Sequence, residues 1–181
     1  MLKRKIIIVA ATACTYLLFF AANEFLFSFM SFSTGVHWIY LPSGIILVSV
    51  LLFVEYAAIG IMLASAFVSS RYYFTSDLVA ALGTGFISGF SPWLARLLCI
   101  AKLRLDVNLH QLTAAALVRV AFVFALLSAV MHQLWFMWRG HAVNFAGNAV
   151  VMATGDFFGT IVVLYLAKFS VGLLPRFIGK R

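Results

Sequence analysis

Residues 6–27 read IIIVAATACTYLLFFAANEFLF. A helix needs about 20 mainly apolar residues to cross a membrane, and this run has that length without the alternation of a strand. It continues well past Cys14, so it is longer than the apolar part of a cleaved signal peptide. The run therefore predicts a membrane-spanning helix that is retained in the protein.

The composition of the whole chain favours the same class. The 181 residues are 65% hydrophobic and 10% charged, with a mean hydropathy of +1.09. Soluble domains are about half apolar and about a quarter charged, so a water-soluble globule is excluded. We expect an all-α integral membrane bundle, a single transmembrane domain over residues 1–181 with no soluble domain.

Further apolar runs predict six transmembrane helices. The third run, residues 57–68, is too short to cross alone. It must therefore extend toward Tyr72 or cross as a tight pair with the second. The predicted spans are residues 6–27, 38–54, 57–72, 77–100, 112–138 and 146–168.

The basic residues predict the orientation of this bundle. Of the 13 lysines and arginines, all but Arg71 and Arg139 lie on the side of the two termini. Short loops rich in Lys and Arg stay in the cytoplasm, so both termini are expected there, in a bacterial inner membrane. Topology and contact with anionic lipid account for the net charge of +8, and nucleic-acid binding is not needed to explain it. The basic residues on the terminal side are Lys3, Arg4, Lys5, Arg96, Lys102, Arg104, Arg119, Lys168, Arg176, Lys180 and Arg181.

Asp156 is the clearest candidate for a functional residue. It lies about ten residues into the last predicted span, about 15 Å deep, where ionisable side chains are costly. Asn148, Gly155 and Gly159 share its helix face, so this stripe should face protein. His132 in the fifth span is at a similar depth and is a possible partner. Asp156 is either a ligand, ion or proton site, or a structural carboxylate that holds the last helix in the bundle.

A second group of polar residues lies at the outer side. Glu24 and His37 could close an outer mouth, and Trp38 is suited to the headgroup region. Pro42, just before Ser43, allows the next helix to start irregularly or to break near the bundle interior, where membrane sites are built. The alternative is an ordinary helix start beside an aromatic belt.

Several glycines have the spacing of close helix packing. Gly85 and Gly89 are four residues apart, as are Gly155 and Gly159, and Gly60 lies four residues before an alanine. The cysteines and histidines lack metal-ligand spacing. A histidine near an aspartate, without a nucleophile, is not a catalytic signature. No catalytic residue, metal site or cofactor is predicted, and the chain is not expected to be an enzyme.

Two stretches resemble a known family. WIYLPSG at residues 38–44, followed by GIMLAS at 60–65, resembles the opening of the first membrane-associated sensor domain of bacterial histidine kinases and diguanylate cyclases, and GDFFG at 155–159 resembles its closing helix. Residues 54–56 depart from it, because the family usually has a glycine and a Trp-Pro pair there. The resemblance implies a sensor-like module that binds a small ligand or a partner membrane protein and acts through a separate polypeptide.

A second resemblance is to the substrate-binding S components of energy-coupling-factor vitamin transporters. These are six-helix proteins of about this size, which often carry Gly-Asp or Gly-Asn near the start of the last helix. The resemblance implies a transporter subunit that works with a coupling ATPase pair. The sensor-like module is our first hypothesis for function and the S component is the alternative.

Overall fold

The computed structural model describes residues 2–103 and 113–178. Five of its helices are long and apolar enough to cross a membrane, as expected of a multi-pass membrane protein. Arg104, Lys180, Arg181 and the first residue of the fifth predicted span lie outside the described residues. The helices are α1 (Leu2–Phe27), α2 (Pro42–Val68), α3 (Leu78–Leu103), α4 (Ala114–Trp138) and α5 (Phe145–Ile178).

A small β-hairpin follows α1 after a short 3-10 turn, Ser28–Met30. Strand β1 (Ser31–Ser33) pairs antiparallel with β2 (Val36–His37), and Gly35 in the connecting turn has a φ of 70° that suits glycine. The strands are too short to be recognised from alternation in the sequence. Val36 and His37 are buried against α5, so this hairpin closes one end of the bundle. We call it the hairpin end, and the end where α1 begins is the N-terminal end.

Helix α2 is interrupted at Val54, whose φ of 47° and ψ of −119° are not helical. The two halves of α2 run in opposite directions along α1. Before Val54, Leu41 N donates to Asn23 Oδ1 (2.8 Å) near the end of α1, whereas residues 52–53 line a groove with residues 4–5 at its start. After Val54 the order is reversed. Gly60 packs on Thr12 and, beyond the end of α2, the Tyr72 hydroxyl donates to Glu24 Oε2 (2.8 Å). The chain therefore folds back at Val54.

Helix α2 begins at Pro42, four residues later than the predicted span. Proline fits the first turn of a helix, because the backbone N–H groups of that turn have no acceptor within the helix. The residues just before it, 38–41, enter the bundle in an irregular conformation. A single π-turn, Ser69–Tyr73, extends the other end of α2 toward the hairpin end. This extension includes Tyr72, toward which the sequence predicts that residues 57–68 continue.

The main core extends from the middle of the bundle to the N-terminal end. It is built mainly of aliphatic residues of α2, α3 and α4 around Phe124. Two smaller clusters lie at the hairpin end, one around Val36 and Met152 and one around Phe74 and Phe136. The polar side chains described below lie between the large core and these clusters.

Candidate functional site

The segment before α2 lies on a flat strip of α5. Tyr40 N donates to the Gly155 carbonyl oxygen at 3.2 Å. A Cβ atom at Gly155 would collide with the carbonyl oxygen of His37, and one at Gly159 with that of Tyr40. These two glycines, which the sequence assigned to helix packing, therefore admit an extended backbone to the face of α5.

Ser43 joins this segment to the backbone of Asp156. Its fully buried hydroxyl lies 2.6 Å from the Tyr40 carbonyl oxygen and 2.8 Å from that of Asp156, and it can donate to either. The Thr160 hydroxyl donates to the same Asp156 oxygen at 2.7 Å. These bonds fix the turn of α5 from which the Asp156 side chain projects. Ser43, a predicted site residue, positions Asp156 and does not line the cavity beside it.

A cavity of about 30 Å³ lies beside Asp156. This volume has room for about two water molecules. Asp156 is only 2% exposed, and its Oδ2 has no hydrogen-bond partner in the part of the chain that the structure describes. Most of the other polar groups on the wall are hydroxyls. The polar lining residues are Tyr16, Tyr40, Ser65, Ser69, Tyr73, Thr84, Ser88, Ser128, His132 and Asp156.

His132 shares this cavity with Asp156, as the sequence suggested. Its Nδ1 lies 2.8 Å from the Ser128 carbonyl oxygen, and its Nε2 lies 3.3 Å from the Ser88 hydroxyl. The backbone carbonyl of Thr84 also bonds to the ring, so either nitrogen can carry the proton of the neutral imidazole. The imidazole is thus held between α4 and α3.

Glu24 and His37 meet at the hairpin end. Their nearest side-chain atoms, Glu24 Oε1 and His37 Nε2, are 4.0 Å apart, and His37 Nε2 lies 3.0 Å from the Tyr73 hydroxyl. Burial lowers the pKa of His37, and the nearby Glu24 opposes that shift. The His37 ring stacks on Tyr40, whose hydroxyl lies 2.9 Å from that of Tyr16. This contact connects the Glu24 cluster with the cavity.

Asn148 and Trp38 lie away from the cavity. Asn148 Oδ1 accepts a hydrogen bond from the Ser33 hydroxyl at 3.2 Å, which links β1 to α5. Trp38 is exposed and packs edge-on against Phe32. The two residues of the predicted stripe therefore have different roles. Asn148 contacts the hairpin, and Asp156 lines the cavity.

Gly60, Gly85 and Gly89 lie at close contacts between helices. A Cβ at Gly60 would collide with Thr12 of α1. At Gly85 and Gly89 it would meet backbone oxygens of Met62 and Ala58, both on α2. These glycines allow the second half of α2 to pack between α1 and α3.

A separate ionic cluster joins α3 and α4 at the hairpin end. Asp77 Oδ1 caps α3 by accepting from Ala80 N at 2.9 Å, and Arg139 Nη2 donates to Asp77 Oδ2 at 2.8 Å. His141 Nε2 lies 3.0 Å from the same oxygen. The Ala80 N–H, His141 and Arg139 lower the pKa of Asp77, in that order of importance. The folding stability that Asp77 contributes is thus present at neutral pH and is lost only as the pH falls far into the acid range.

The sequence did not single out the three tyrosines of the cavity, nor its serines. A signal was present in two pairs that are four residues apart, Thr84 with Ser88 and Ser128 with His132, because such pairs share one helix face. Within the described ranges, no three His, Cys, Asp or Glu side chains lie close enough together to hold a metal ion. The cavity offers one carboxyl, one imidazole and several hydroxyls, which can bind water, exchange protons or hold a small cation.

Comparisons with protein-family models, with curated proteins and with solved structures find no match for this chain.

Proposed function

We propose that this protein is a sensor-like module of the bacterial inner membrane, which binds a small ligand at Asp156 and passes the signal to a separate polypeptide. The observation that carries the proposal is the Asp156 carboxyl, buried in the bundle with one oxygen unpartnered and facing a cavity of about 30 Å³. Ionisable groups at membrane depth are expensive, so they mark functional sites by default.

The proposal includes six membrane crossings with both termini in the cytoplasm. Residues 42–53 alone give about 18 Å of helix, which is too short for a hydrocarbon core of about 30 Å. The irregular residues 38–40 add at most about 10 Å, and irregular backbone is tolerated at membrane depth where protein covers it. Residues 55–73 give about 28 Å in the opposite direction. The excess of basic residues on the side of the termini supports a cytoplasmic N-terminal end.

Cysteine labelling tests this topology. In a Cys14→Ala, Cys99→Ala background, we expect Glu55→Cys, at the fold-back of α2, to react with a membrane-impermeant maleimide only from the cytoplasmic side. Val143→Cys, which is fully exposed beyond α4, should react only from the outside. If α2 crossed the membrane once, residue 55 would lie at membrane depth and stay unlabelled until detergent is added. That result, or labelling of both cysteines from one side, would contradict the six-crossing topology.

The cavity favours binding of a small species over the other functions considered. A preformed site for a vitamin-sized ligand encloses about 300–1,000 Å³, so the cavity beside Asp156, at about 30 Å³, is too small for such a ligand. His132 Nδ1 is bonded to the Ser128 carbonyl oxygen, whereas in a serine nucleophile triad it would be bonded to a carboxylate. The hydroxyl of Ser88 is therefore not set up for catalysis, which favours a binding function.

The ligand test uses the full chain in lipid nanodiscs and follows thermal unfolding. The probes are protons, Na⁺, K⁺ and NH₄⁺, with choline chloride holding ionic strength constant. A probe at about 100 times its Kd should stabilise the protein by about 3 kcal/mol. The shift should vanish in Asp156→Asn and persist in Asn148→Ala, because Asn148 is buried on the same helix but outside the cavity. A wild type that responds to no probe, or an equal response in Asp156→Asn, would contradict the proposed function.

A further inference from the structure

A series of polar contacts leads inward from the hairpin end. Tyr72 donates to Glu24 at the exposed start, and the Glu24 carboxylate lies 4.0 Å from His37. His37 contacts Tyr73 at 3.0 Å, and both Tyr73 and Tyr40 line the cavity. Each of these groups can accept one proton and donate another.

The contacts continue on the opposite wall of the cavity. The hydroxyls of Tyr40 and Tyr16 are 2.9 Å apart, and those of Ser65 and Ser88 are 2.8 Å apart. Ser88 lies 3.3 Å from His132 Nε2. Two water molecules, which the cavity can hold, would bridge the remaining gaps between the tyrosines, His132 and Asp156.

The lining suits a proton better than a metal cation. A hard cation needs about six oxygen ligands that are free to turn toward it. Here the Tyr16 and Tyr40 hydroxyls bond to each other, and the Ser88 hydroxyl lies within 2.9 Å of the Thr84 carbonyl oxygen. A proton needs only one acceptor, and Asp156 Oδ2 is an acceptor without a partner among the described residues.

On the N-terminal side of the cavity the described residues are mostly apolar, with Ser49 and Ser91 among the buried polar exceptions. Between the cavity and the N-terminal end the core consists mainly of apolar side chains such as Val50, Ala57 and Val120, which are fully buried. Thr12, a buried polar residue there, lies within hydrogen-bond distance of carbonyl oxygens of its own helix. Apolar side chains do not carry protons, so the contacts described above favour delivery of a proton to Asp156 from the hairpin end.

We infer that the ligand of the Asp156 site is a proton, delivered from the hairpin end through Glu24, the tyrosine hydroxyls and the cavity water. The inference rests on the proposed function. One proton enters from outside water, each relay group takes one and gives one up, and the last binds Asp156 Oδ2, which changes the carboxylate from −1 to neutral. No proton leaves at the other face, so the protein responds to the acidity outside the membrane.

The titratable groups around Asp156 come from several elements. Tyr16 of α1, Tyr40 before α2, Tyr73 of the π-turn and His132 of α4 line its cavity. Helix α3 contributes only hydroxyls to this wall, Thr84 and Ser88, which do not titrate in this range. Glu24 and His37 lie beyond the tyrosines, at the hairpin end.

Infrared difference spectroscopy after a pH jump tests the inference on the full chain in nanodiscs. The readout is the C=O stretch of a protonated carboxyl, which Asp156→Asn should remove. Tyr73→Phe should keep the final amplitude of this band but slow its appearance about tenfold or more, because the ring stays and the hydroxyl that contacts His37 is lost. Tyr40→Phe removes a second tyrosine hydroxyl of the proposed route. Tyr165→Phe, the same change on the exposed surface of α5, should behave as wild type.

Each other outcome overturns the inference in a distinguishable way. If the band stays constant with pH but Na⁺ or K⁺ shifts the unfolding of wild type and not of Asp156→Asn, the ligand is a metal cation and the proposed function stands. If Asp156 is protonated at the wild-type rate in both Tyr73→Phe and Tyr40→Phe, the proton takes another route. If neither pH nor any cation acts through Asp156, the proposed function fails as well.

Discussion

Replacement of Gly159 by leucine is expected to destabilise the folded bundle by about 3 kcal/mol or more, because the added side chain has no room. The carbonyl oxygen of Tyr40 occupies the position of the missing Cβ, and the Ser43 hydroxyl lies 3.0 Å from it. Neither can move freely, since Tyr40 N is bonded to Gly155 and Ser43 to the backbone of Asp156. Denaturant unfolding in mixed micelles would measure the loss.

A smaller substitution provides the matched control for this prediction. Gly159→Ala should still cost about 1–3 kcal/mol, because one methyl group already meets the Tyr40 backbone. Gly147→Ala, also on α5, should cost no more than the loss of one helix cap, about 1 kcal/mol, since its new methyl meets only the side chain of Asn144, whose Oδ1 accepts from Gly147 N at 3.0 Å. Equal stability of Gly159→Ala and Gly147→Ala would mean that the segment before α2 does not lie on α5 as described.

Replacement of Val54 by glycine is expected to stabilise the protein by about 1 kcal/mol. Val54 has a φ of 47°, which a β-branched residue adopts at a cost of about 1–3 kcal/mol and glycine adopts freely. Glycine also makes the unfolded chain more flexible, which lowers the gain in folding stability by about 0.4–1 kcal/mol. The same unfolding measurement in micelles would show the difference.

Leu52→Gly is the control for the Val54 substitution. Leu52 is exposed and lies within the regular first half of α2, so glycine there should cost about 1 kcal/mol. The two substitutions therefore have opposite expected signs although they are two residues apart. A loss of stability in both variants would indicate that helix α2 continues through residue 54 without folding back.

The amino-acid sequence was sufficient for much of the helical framework, because run length and hydropathy are local properties. It also predicted the meeting of Glu24 with His37, and it placed His132 near the depth of Asp156. It could not show which element faces the strip at Gly155 and Gly159. A four-residue spacing of small residues indicates a flat helix surface. A non-helical backbone can pack on such a surface as well as a second helix can.

The remaining parts of the site depend on contacts between distant residues. Ser43 bonds to Asp156 across 113 residues, and Asp77 to Arg139 across 62. No periodicity within one helix contains that information. Likewise nothing in the local sequence distinguishes the tyrosines of the cavity, whose hydroxyls come together only in the folded chain.

The dependence of the segment before α2 on α5 has a consequence for biogenesis. In the proposed topology residues 42–53 are too few to insert as an independent transmembrane unit, and without α5 the Tyr40 amide loses a partner that lipid cannot replace. Their cover, Gly155 to Gly159, is synthesised more than 100 residues later. The nascent chain must therefore hold this part near the interface or within the insertion machinery until α5 arrives. Truncation within α5 should leave the N-terminal half exposed to membrane quality-control proteases.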